Sequence, residues 1–210
     1  MKNTFLTIAL FASTATLSFA QDFRDKFVVG LKAGFNYSNV YDTQGESFVA
    51  NPKLGLAAGA FFSIPLSKHL GIQPELLLSQ KGFKGTGIYG GNSYALTRTS
   101  TYLDVPLLFV VKPTGFLSLL CGPQYSYLLN QKDVFTNGNT TMAQQQDFKN
   151  DNIRRNTLCF LGGVDINLKN FVVSGRAGWD LRRNNGDGTS TTPRYKNAWY
   201  QATIGYRFIL

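Results

Sequence analysis

Apolar and polar residues alternate with a period of two in eight stretches of this chain. Over residues 27–38, Val29, Leu31, Ala33, Phe35 and Tyr37 fall on one side, with Gly30, Lys32, Gly34, Asn36 and Ser38 on the other. That alternation predicts a β-strand with one apolar face. The pattern recurs over 54–64, 70–81, 102–112, 116–129, 157–168, 171–181 and 200–208. It is cleanest in the last stretch, where Tyr200, Ala202, Ile204, Tyr206 and Phe208 oppose Gln201, Thr203, Gly205 and Arg207, and noisiest over 116–129. About ten residues is the length a tilted strand needs to cross a bilayer.

The intervals between stretches alternate in length. Residues 67–69, 113–115 and 169–170 are short connections, whereas 40–51, 85–100, 130–156 and 182–197 are long. Short turns at one end and long loops at the other predict an all-β, eight-stranded antiparallel up-and-down sheet, closed into a barrel so that no edge is left unpaired. A soluble ligand carrier would turn its bulky apolar face inward. Here the polar face is mostly Gly, Ala and Ser with an occasional charge, which suits a narrow lumen. The apolar face carries aromatics near segment ends (Tyr37, Phe62, Tyr127, Tyr200, Phe208), as at a membrane interface. The expectation is therefore a transmembrane β-barrel with its apolar face toward lipid.

Glu75 lies in "GIQPELLLSQKG" (71–82), a carboxylate amid leucines. Buried alone it would be costly, so it should face the lumen with Lys32, Asp104, Asp165, Arg176 and Arg207 as companions. Both signs are present, as satisfied burial requires. This polar network is expected to be a packed plug, not a catalytic site. By parity Cys121 faces lipid and Cys159 the lumen, which predicts free thiols. Pro74, Pro106 and Pro123 each remove a ladder donor, and bulges are expected at those points.

Composition changes this picture little. The chain has 17 Phe, 10 Tyr, 21 Gly and 16% charged residues, and no apolar run after the N-terminus is long enough for a transmembrane helix. Mean hydropathy is −0.11, which on its own would suggest a soluble protein. The first 20 residues combine Lys2, an apolar core over 5–17 and the small-x-small motif Ser18-Phe19-Ala20. They are expected to be a secretory signal, leaving residues 21–210 as one barrel domain. Net charge is +9 at pH 7. Lys84, Arg98, Arg154, Arg155, Arg182 and Arg183, with Lys81, Arg194 and Lys196, are expected at the outer rim, where cations would contact lipopolysaccharide phosphates. A solvated basic rim is the alternative.

Four motifs, "IQPELLLSQKG" (72–82), "YLDVPLLF" (102–109), "CGPQYSYLL" (121–129) and "IGYRF" (204–208), resemble the PorT-like family of outer-membrane barrels. The resemblance implies an integral outer-membrane protein of a Gram-negative bacterium, inserted by the barrel assembly machinery and acting as a monomer. It also implies a non-enzymatic structural or interaction role, with an unidentified envelope partner and a place accessory to protein secretion. The three prolines fall inside these motifs. Ile209 and Leu210 depart from the usual terminal aromatic by following Phe208.

A small porin and a soluble lipocalin-like carrier remain the alternatives. An enzyme is not expected, because the one histidine, His69, sits in a short periplasmic turn and offers no outward-facing Ser-His pair. "NNGDGT" (184–189) has too few carboxylates for a calcium loop. No cofactor, metal or nucleic acid is expected.

Overall fold

A computed structural model of the chain describes residues 23–44, 49–89, 92–137, 140–145, 153–184 and 194–210. The expected signal segment, 1–20, lies outside the described residues. The described residues form nine strands: β1 (Val28–Gln44), β2 (Val49–Pro65), β3 (Leu70–Tyr89), β4 (Asn92–Val111), β5 (Leu117–Asn137), β6 (Thr140–Gln145), β7 (Asn156–Leu168), β8 (Phe171–Asp180) and β9 (Arg194–Ile209). Eight of them form one antiparallel ring, β4-β3-β2-β1-β9-β8-β7-β5, closed by pairing of β4 with β5. The short β6 folds back along the upper end of β5.

Burial alternates along the eight strands of the ring in the expected sense. Leu31, Leu54, Leu56, Leu76, Leu78 and Leu107 are each more than half exposed on the outer surface. Lys32, Asn36, Ser79, Asp104, Ser126 and Asp165 are buried inside. The outward apolar positions run through 27–37, 54–66, 70–78, 103–111, 117–129, 158–168, 171–181 and 198–210. Five or six outward residues per tilted strand give a belt about 25 Å tall, the height of a bilayer's hydrocarbon. Aromatics edge it on both sides. Tyr37 pairs with Tyr200, and Phe160 packs on Trp179 near the top. Near the bottom Phe171, Tyr206 and Phe208 form edge-on contacts.

Inside, the lumen is narrow enough that glycine decides what fits. A Cβ on Gly30 would lie 2.3 Å from the Phe61 ring, and one on Gly178 would lie 2.5 Å from the Trp199 ring. These two glycines make the space that the two inward aromatics fill.

Three expectations need correction. Residues 40–51, 85–100 and 130–156 are not mainly loops. β1 and β2 reach Gln44 and Val49, β3 runs to Tyr89 and pairs there with Asn92 of β4, and β5 continues to Asn137. Above the belt the apolar outer face ends, so the periodic signal fades, while the backbone ladder continues. The second correction concerns the prolines, whose positions carry no bulge. Pro74 pairs with Leu107 on β4, and only its rungs toward β2 are missing, between Phe61↔Glu75 and Ile64↔Ile72. Pro106 pairs with Gln124 and lacks rungs toward β3, whereas Pro123 pairs with Phe160 and lacks them toward β4. Successive residues of an antiparallel strand bond alternately to either neighbour. A proline therefore silences one side only, and the register stays unchanged across each gap.

Third, the register shifts lie elsewhere: between Tyr41 and Gln44 against β9, between Pro52 and Ala57 against β3, and on the β4–β5 ladder. Between Thr101↔Asn130 and Tyr102↔Leu128 the β4–β5 register shifts by one residue. It moves the inward set of β5 from Gln124, Ser126 and Leu128 to Gln131 and Asp133. That shift ends the legible alternation at Leu129.

At the lower end the chain turns through 66–69, 112–116 and 169–170. The two residues after Phe208 belong to the closure of the ring. Ile209 pairs with Val28 and packs on the cluster of Val28, Phe61 and Val172, and the Leu210 amide donates to the Phe27 carbonyl at 2.9 Å.

Candidate functional site

The lumen is a column of interlocked polar groups. At mid-belt, Lys32 from β1 donates to Glu75 of β3 at 2.5 Å. Arg176 from β8 reaches the same carboxylate at 3.3 Å and Asp165 of β7 at 2.9 Å. Gln73 donates to the other Glu75 oxygen at 2.9 Å. Two cations and two carboxylates from four strands thus share one buried cluster. Mutual neutralisation is what makes such burial tolerable. Arg207 sits below it and bonds Asn167 at 2.8 Å.

Asp104 is not part of this cluster. Its partner is Lys81, at 3.0 Å. Ser126 donates to Asp104 at 2.6 Å, Gln124 donates to Ser126 at 2.9 Å, and the Cys159 thiol donates to Asp180 at 3.1 Å. Asn197 supplies two further donors to Asp180, at 3.0 and 2.6 Å. Lys81 also lies 3.7 Å from the Trp199 ring centroid, a cation–π contact in a desolvated setting. Lys81 was expected at the rim, but it is 2% exposed and faces inward. Cys121 is exposed and Cys159 buried, both as free thiols.

Higher still, Arg98 makes a two-pronged pair with Asp133, at 2.8 and 2.6 Å, and donates to the Tyr195 hydroxyl at 3.1 Å. Arg98 is therefore an inward residue rather than a rim contact; its position directly opposite Asp133 in the ladder fixes this. The remaining expected rim residues divide. Lys84, Arg155 and Arg182 are exposed. Arg154 is half-buried and donates to the Arg183 carbonyl at 3.2 Å. Arg183 is turned toward Asp42 at 3.2 Å, beside Lys196 at 3.3 Å. The hydrogen bonds from Lys196 and Arg183 hold the Asp42 carboxyl below its usual range. Among the described residues no cluster of His, Cys, Asp or Glu is arranged to hold a metal.

A ring of eight strands with its leucines outside and its charges inside is the architecture of an outer-membrane barrel. The family described as outer membrane protein beta-barrel domain matches residues 19–183. The chain belongs to this family. Among solved structures it is similar to Ail, the attachment invasion locus protein of Yersinia pestis, at 16% identity. That similarity covers 87% of this chain and 99% of Ail, with a TM-score of 0.49. It is also similar to the outer membrane protein OprG from Pseudomonas aeruginosa, at 14% identity over 89% of this chain and 99% of that one, with a TM-score of 0.45. No curated protein matches the chain.

Among the described residues, five charged members of this outer-membrane barrel's lumen escaped the expected network: Lys81, Arg98, Lys112, Asp133 and Asp180. Parity alone could have found four of them, since Arg98 and Lys112 share the even-numbered inward phase of Asp104 and Val110. Lys81 continues the inward series from Glu75 through Leu77 and Ser79, and Asp180 continues Ser174, Arg176 and Gly178. Asp133 had no such signal, because the bulge before it inverts the parity of β5.

Proposed function

We propose that this outer-membrane barrel is an integral, monomeric, non-enzymatic and non-conducting protein that works through its extracellular surface. Its support is the lumen itself, where Lys32, Glu75, Arg176 and Asp165 interlock across four strands and Lys81, Trp199 and Asp104 stack above them. An eight-stranded barrel has room only for side chains, and these side chains hold one another. The Ser126, Asp104 and Lys81 trio resembles catalytic chemistry in composition, but every member is at most 2% exposed and the serine already donates to the aspartate. That leaves the outer surface to carry the role.

Above the belt, β3, β4 and β5 rise as a polar sheet suited to an envelope partner. Lys84, Arg155 and Arg182 project from the rim where lipopolysaccharide phosphates lie. A function accessory to protein secretion rests on the PorT-like motifs alone. The test is planar-bilayer recording of the refolded protein alongside heat-modified gel mobility of the outer-membrane fraction. The expected outcome is faster migration of unboiled protein together with no steady single-channel current. Persistent unitary currents would favour the small-porin alternative.

A further inference from the structure

At the periplasmic mouth, the turn at residues 23–26 folds beneath the strand ends and leaves a cavity of about 50 Å³. Such a space holds a few waters or one small ion. Arg24, Lys112, Lys169 and Arg207 line it, and Asp165 is the one carboxylate among its lining residues. Asp165 is already committed, because Arg176 donates to both of its oxygens, at 2.9 and 3.2 Å.

Arg207 is the group that points to a ligand. It is 9% exposed, and its hydrogen-bond partners are neutral: Asn167 Oδ1 at 2.8 Å and the Lys169 carbonyl. Its Nε is buried with no partner among the described residues. A guanidinium held out of water without a carboxylate is unfavourable by itself. Its planar fork is suited to an oxyanion. From the opposite wall, Lys112 Nζ donates to the Arg24 carbonyl at 2.9 Å, which ties the N-terminal turn to the end of β4. Arg24 in turn reaches the Pro113 carbonyl at 3.4 Å.

We propose that this mouth binds a small phosphate-type oxyanion, held by Arg207 and Lys169 on one side and by Arg24 and Lys112 on the other. Asp165 is the nearest carboxylate to act on Arg207 but is not bonded to it; the bound anion would supply a directly bonded counter-charge and would fasten the N-terminal turn across the lumen. Free periplasmic phosphate and the phosphate of an inner-leaflet lipid headgroup present the same chemistry.

The test is thermal unfolding of the refolded barrel in non-ionic detergent, with sodium phosphate compared against sodium chloride at equal ionic strength. A third arm adds an anionic phospholipid to the micelles without phosphate. The expected result is a midpoint several degrees higher with phosphate than with chloride, and no such difference in Arg207→Gln. Lys169→Gln, at an exposed turn position, should fold normally and need severalfold more phosphate for the same shift. An Arg207-dependent rise with the lipid alone would assign the anion to a headgroup. Equal midpoints in all three media, or an undiminished phosphate shift in both variants, would overturn the proposal.

Discussion

Within the lipid belt and above it, the same strands present opposite outer faces. In the belt the outer face is leucine, valine and aromatic, while the inner face holds Lys32, Glu75, Arg176 and Asp165. Above it, the outer face of β3 and β4 carries Gln80, Lys84, Thr86, Thr97, Thr99 and Thr101, while inside Phe83 of β3, Val40 of β1 and Tyr195 of β9 cluster beside the Arg98–Asp133 pair. Phe83 and Tyr195 meet edge-on at 5.2 Å. Strand length follows the same division. β3, β4 and β5 run for 20, 20 and 21 residues, while β7 and β8 run for 13 and 10. One side of the barrel thus ends near the girdle, and the other stands above it as a hydrated sheet with its own small core. Solvent, not the strand, decides whether the outer face is apolar: acyl chains outside select one pattern and water outside selects the other.

The sharpest way to break this comparison is Glu75→Ala. It removes the carboxylate shared by Lys32 and Arg176 and leaves two buried cations with one partner. The expected cost is about 3–5 kcal/mol, seen as a lower temperature for loss of the compact gel species. An unchanged temperature would mean that the belt's interior is solvated. Phe83→Ala should cost about 3 kcal/mol, the lower end for a buried phenylalanine, because it empties the wall's core. Its effect should be local: faster proteolysis above the girdle, with heat modification of the belt retained. If the belt melts as well, the two regions are one cooperative unit.

Pro106→Ala restores a ladder donor facing β3, where rungs are missing between Pro74↔Leu107 and Leu77↔Asp104. One recovered backbone bond is worth about 1 kcal/mol, and amide exchange on β3 opposite position 106 should slow. Exchange left as fast as before would show that the gap has another cause. The smallest effect is expected from Asp42→Asn at the rim, where the carboxylate meets Arg183 and Lys196 in water. Because its carboxyl sits below the usual range, whatever it adds is present at neutral pH and lost only as pH falls through that lowered value. At physiological salt the unfolding temperature should match that of the unaltered protein, and a clear drop would give the rim a structural role.

The amino-acid pattern alone determined the strand count of the ring, the outward direction of the leucines and the inward position of Lys32, Glu75, Asp104, Asp165, Arg176 and Arg207. It could do so because a bilayer outside and a crowded lumen inside impose opposite demands on alternate residues, and that demand is local. Pairing was not local. Only the closed ring placed Asp104 with Lys81 rather than with Glu75, set Arg98 opposite Asp133, and used Ile209 to seal β1 against β9. Each of these depends on register between strands far apart in the chain. One extra residue at the β4–β5 bulge was enough to turn Gln131 and Asp133 inward on β5. The tall wall was hidden for the related reason that its backbone bonding persists where no lipid marks one face as different from the other.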